Sequence, residues 1–108
     1  MAQIIVWGAI NKDGSIANGS KAQNGNYNFS VNRTGAGTYL INFSPAFNHL
    51  PAITGSQWGF GTSQNTKDNV TFPLLSANQS TVFTGDAGGN RSDRNFSFIA
   101  IGIVNVAP

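Results

Sequence analysis

The stretch at residues 93–106, Asp-Arg-Asn-Phe-Ser-Phe-Ile-Ala-Ile-Gly-Ile-Val-Asn-Val, limits what this chain can become more than any other part of it. Phe96 and Phe98 alternate with Asn95, Ser97 and Ile99, the period of a strand with one face in a core. From Ile99 to Val104 both faces turn apolar, and a strand of that kind needs cover on each side. It belongs in the middle of a sheet, and in a short chain its second cover is another copy of the chain. Ile4, Val6, Ile99, Ile101, Ile103 and Val104 at the two chain ends offer more apolar strand surface than one small sandwich hides. A homo-oligomer is therefore expected, a trimer with these strands near its threefold axis.

The remaining segments read as short strands separated by turn residues. Residues 3–10 form a first strand, closed by Asn11-Lys12-Asp13-Gly14, where Asp-Gly supplies a tight reversal. Residues 18–26 are rich in Gly, Ser and Asn and read as a loop. Tyr27, Phe29 and Val31 alternate with polar neighbours, as do Tyr39, Ile41 and Phe43, and the Gly-containing turn between them makes a hairpin. Pro45 and Pro51 bracket a crossing segment in which Phe47 and Leu50 are expected to plug one end of the core. Residues 52–58 form a strand and 59–69 a polar loop. Val70, Phe72 and Leu74 share one face of a strand that Pro73 relegates to a sheet edge, and residues 81–84 make one more short strand. Helical periodicity is missing. Some seven strands describe an all-β, jelly-roll-like antiparallel sandwich, a single domain over residues 1–108, with Tyr27, Phe29, Val31, Tyr39, Ile41, Phe43, Phe72, Phe96 and Phe98 as its core.

Composition bears on function mainly by exclusion. The chain has no cysteine and one histidine, His49, which removes disulfides and thiolate metal sites and argues against a histidine metal site. Only 9% of residues are charged, and the net charge of +2 comes from scattered residues without a Lys/Arg cluster, so no nucleic-acid footprint is expected. No apolar run approaches a membrane span, and the apolar run at the start lacks the basic lead of a signal peptide. Asn-X-Ser/Thr occurs at Asn18, Asn28, Asn32, Asn42, Asn69, Asn78, Asn90 and Asn95, a density that favours a bacterial or viral chain over one passing through a glycosylating pathway. No Ser/His/Asp, Cys/His or paired-carboxylate spacing is present, so an enzyme is not expected.

Arg33, Gly-Thr-Tyr-Leu-Ile-Asn-Phe at 37–43, Phe47, Pro51-Ala52-Ile53, Asn69-Val70-Thr71, Phe83 and Phe96-Ser97-Phe98-Ile99-Ala100-Ile101-Gly102 occur in an order that resembles the H-type lectin domain. It is equally similar to the small β-sandwich tips of phage tail fibres and related bacterial surface proteins. The resemblance covers residues 27–102 and implies a trimeric all-β module that recognises surface glycans without catalysis. The lectins place aromatic or His residues just before the last strand, where this chain has Asp86-Ala-Gly-Gly-Asn-Arg91-Ser-Asp93-Arg94, so the sugar does not carry over.

That loop holds two of the four acids and two of the six Lys/Arg residues of a nearly uncharged chain. Sugars are held by carboxylate, amide and guanidinium groups that satisfy their hydroxyls, often with an aromatic face against the ring. Asp86, Asn90, Arg91, Asp93 and Arg94 supply the polar groups, and Trp58 or Phe60 the face. The competing reading makes Asp93 an ion-pair partner of Arg91 or Arg94 in a loop shaped by glycines. Calcium on Asp86, Asn90 and Asp93 would need more acids than the loop has, so neither metal nor cofactor is expected. Trp7 reads as a packed residue. The alternative to a lectin is a structural fibre-tip or trimerisation module with no sugar binding of its own.

Overall fold

The computed structural model describes residues 1–105; Val106, expected at the end of the last strand, lies outside them. Eight strands form two antiparallel sheets: β1 (Ala2–Ile10), β2 (Ile16–Gly19), β3 (Phe29–Gly35), β4 (Thr38–Phe43), β5 (Ala52–Gln57), β6 (Asn69–Thr71), β7 (Gln79–Gly85) and β8 (Phe96–Val104). The first sheet has the order β2-β1-β8-β5 and the second β3-β4-β7-β6, packed as a β-sandwich in one compact domain. Among the described residues no helix is long and apolar enough to cross a membrane.

β8 is central, as its two-sided apolar character requires. It pairs with β1 over its whole length, from Ala2 opposite Val104 to Ile10 opposite Phe96, and with β5 on its other side. The expected hairpin is β3–β4, and β6 is an edge strand that stops two residues short of Pro73. β2 is a strand that the sequence pattern does not reveal, and its last two residues, Asn18 and Gly19, fall in the segment whose composition predicts a loop. Its Gly19 stands opposite Gly8 of β1, and a β-carbon on either would lie 2.6 or 2.7 Å from Phe29 Cζ. The two glycines thus form a notch for the Phe29 ring, which meets Phe98 edge-on at 5.2 Å. Gly19→Ala should overpack this notch and lower stability by about 1–3 kcal/mol. Thermal denaturation checks this, and the smaller side chain of Phe29→Leu should restore part of the loss.

Val6, Ile10, Phe29, Tyr39, Ile41, Phe43, Val82, Phe96, Phe98 and Ala100 are buried between the sheets. Three members of the expected core differ: Tyr27 is exposed at the rim, and Val31 and Phe72 are only partly buried. Phe47 does plug one end of the core, but Leu50 is exposed, because the turn between the two prolines points it outward.

The outer faces of the sheets differ in chemistry. Val6 and Val104 point into the core and Ile4 packs against it, so these three do not belong to the expected outer surface. Strand parity turns their neighbours outward instead. Ile5 (53% exposed) lies opposite Ile101, and Trp7 (38%) opposite Ile99, with Ile103 completing an apolar patch. Trp7 was expected to be packed, and here it is the aromatic member of that patch. The second sheet turns Ser30, Asn32, Asn42, Thr71 and Thr81 outward around Leu40 and Phe83, a face richer in hydroxyls and amides than the first.

Candidate functional site: the loop at residues 85–94

The loop leaves β7 and returns on itself. An antiparallel bridge joins Gly85 to Arg91, the Asp86 amide donates to the Asn90 carbonyl at 2.9 Å, and Gly89 turns the chain at φ 83°. Asp86 organises this tip: its Oδ1 accepts the Gly88 and Asn90 amides, each at 2.9 Å, and Oδ2 accepts Asn90 Nδ2 at 3.4 Å. The Asn90 amide, together with Gly88, holds the Asp86 carboxyl below the ordinary aspartate value, so the tip stays organised at neutral pH. Thr84 Oγ1 donates to the Ser92 carbonyl at 2.6 Å and anchors the loop's return to β7.

The six residues singled out from the sequence separate into three groups. Asp86, Asn90 and Arg91 stay together at the tip, and two of them line a groove. Asp93 turns away: both its oxygens accept Arg33 Nε, at 3.0 and 2.9 Å, and Oδ1 also accepts the Gly37 amide at 2.7 Å. Its ion-pair partner is therefore Arg33, neither Arg91 nor Arg94. Arg94 is buried, with Nη1 donating to Asp68 Oδ2 at 2.9 Å and to Gln57 Oε1 at 3.2 Å, and its guanidinium lies 3.8 Å over the Phe60 ring. Gln57 Nε2 donates to the carbonyls of Asn69 and Gly85, tying the edge of the first sheet to the second. Trp58 sits beside this cluster, its amide bonded to the Asn95 carbonyl and its indole Nε1 buried without a partner among the described residues.

The groove lies on the hydroxyl-and-amide side, along β6, β7 and the loop tip. It encloses about 330 Å³ and is lined by Asn69, Thr71, Phe83, Asp86, Gly89 and Arg91. The Arg91 guanidinium stacks on Phe83 at 3.7 Å. Asn69, Thr71 and Phe83 were not expected as site residues. Parity held the signal, since Val70, Val82 and Thr84 are buried and their neighbours must face out. No family model, curated protein or solved structure matches the chain. Among the described residues no three His or Asp side chains come together as a metal cluster.

The Arg33–Asp93 pair makes a pH prediction. Arg33, and then the Gly37 amide, hold the Asp93 carboxyl below its ordinary value. A carboxylate depressed in the folded state stabilises the fold above its unfolded pKa of about 3.9, and that contribution fades as pH falls through the lower folded value. Both side chains are more than a third exposed, so the effect is small. Asp93→Asn should lower Tm by a few degrees at most at pH 7, and the gap to wild type should close below about pH 4. Thermal melts of both proteins across that range check it.

Proposed function

We propose that this protein is a non-catalytic, metal-independent carbohydrate-recognition module that works as a homo-oligomer, with the groove beside the loop tip as its glycan site. The observation that carries this reading is the opposed chemistry of the two outer faces. Copies that meet through Ile5, Trp7, Ile99, Ile101 and Ile103 bury the apolar patch and leave the hydroxyl-and-amide faces, with their grooves, turned outward. Phe83 carries the Arg91 guanidinium on its ring, and Asn69, Thr71, Asp86 and Arg91 supply the amide, hydroxyl, carboxylate and guanidinium that sugar hydroxyls require. The resemblance of residues 27–102 to H-type lectin domains and fibre tips supports a trimer displaying to cell-surface glycans. Single sites of this open kind exchange hydrogen bonds with water for small net gain, and joined sites supply avidity.

One observation favours the second reading, a structural fibre-tip or trimerisation module. Asp93 and Arg94 are engaged in internal ion pairs, with Arg33 and Asp68. Glycan-array binding by the intact oligomer, with and without chelator, separates the two. The lectin reading expects binding unchanged by chelator, weakened at least about tenfold by Arg91→Ala, the loss of one charge-assisted contact. Absence of binding to every glycan leaves the structural module.

A further inference from the structure

We infer that the groove takes an acidic sugar and that Arg91 reads its carboxylate. The inference rests on the glycan reading above and names the ligand class of the same site. Among the described residues no carboxylate lies within ion-pair distance of Arg91, whereas Arg33 and Arg94 are both paired. Its guanidinium carbon lies instead 3.7 Å from the centroid of the Phe83 ring, and both residues line the groove. A ring beneath the guanidinium limits its motion and leaves the fork of its N–H groups free for a ligand. That fork matches the two oxygens of a carboxylate, and Arg favours this bidentate geometry where Lys offers only a point charge.

Asp86 also lines the groove and would repel an anion if its oxygens faced it freely. Oδ1 accepts the Gly88 and Asn90 amides and Oδ2 the Asn90 side-chain amide, N–H groups whose dipoles partly offset the carboxylate's negative charge without cancelling it. Asn69 and Thr71 then remain for the hydroxyls of the same ring. Arg91 is the single cation of the groove lining, which suits one planar monoanion better than a phosphate dianion.

The test uses the intact protein and matched methyl glycosides: glucuronide against glucoside, galacturonide against galactoside, each followed by ligand-observed NMR titration. At least one acidic probe should bind about tenfold or more tightly than its neutral partner, with the difference shrinking as salt rises. Arg91→Ala should abolish the preference, Arg91→Lys should keep only part of it, and Asp93→Asn should leave it unchanged. Equal binding within each pair overturns the acidic-sugar inference and leaves the glycan reading in place. Tighter binding of a sulfated sugar than of any carboxylated one overturns the carboxylate assignment. Failure of every probe here and on the array overturns both readings together.

Discussion

Asp68→Ala should destabilise the fold by about 3–5 kcal/mol, a large share of the stability of a domain this size. The Asp68 and Arg94 side chains are only 4% and 8% exposed, so removing the carboxylate strands a guanidinium in the interior. The same change deprives the Asn65 amide of its acceptor at 2.9 Å. Arg94 Nε is already a buried donor without a partner among the described residues, so no spare acceptor stands by. Replacing both partners, as in Asp68→Leu with Arg94→Met, removes the charge together with its counter-charge and should recover most of the loss. Urea unfolding of wild type, single and double variants measures this. A single variant within about 1 kcal/mol of wild type would show that Arg94 finds water on opening a little, and that the cluster is no structural anchor.

The second large effect concerns assembly. Wild-type protein should sediment as an oligomer at micromolar concentration, and Ile101→Asp should sediment as a monomer. Ile101 lies between Ile5 of β1 and Ala52 of β5, at the middle of the exposed apolar rows. A carboxylate there would be desolvated against apolar neighbours in any complex that buries the patch, which costs several kcal/mol unless it finds a partner. The side chain is 37% exposed, so the monomer can hydrate the new charge and should keep its β-rich circular dichroism. A monomeric wild type refutes the assembly proposal.

Alternation carried most of the fold. Phe29, Tyr39, Ile41, Phe43, Phe96 and Phe98 are in the core because a two-residue period with one apolar face leaves few other arrangements. β2 was illegible because what admits it is the absence of side chains at Gly8 and Gly19, a packing fact that Phe29 supplies from elsewhere in the chain. The site was legible in part. For Asp93 the sequence offers sugar contact or an ion pair within the loop, and for Arg94 the same, whereas their actual partners, Arg33 and Asp68, lie 60 and 26 positions away. Yet the periods of the strands run on past their ends. Arg94 shares the parity of Phe96 and Phe98, and Asp68 that of Val70, so both point toward the interior, where two opposite charges must meet. Extending strand parity into the flanking loops would have moved Arg94 from the sugar site to the core.

The pairing of β1 with β8 also governs how the chain comes to be folded. The central strand of the first sheet is the last to be synthesised, and its neighbours on either side, β1 and β5, have no other bond to one another in that sheet. Until residues 96–104 emerge, both must wait with an open edge where β8 will pair. Contacts between strands as far apart in sequence as β1 and β8 are slow to form, since they must close a long loop. Refolding should therefore be limited by the arrival of β8, and a nascent chain lacking it is the species most prone to pair with its neighbours on the polysome. A permutant that joins the ends near Ala2 and Val104 and opens elsewhere would convert that contact into a hairpin and fold faster.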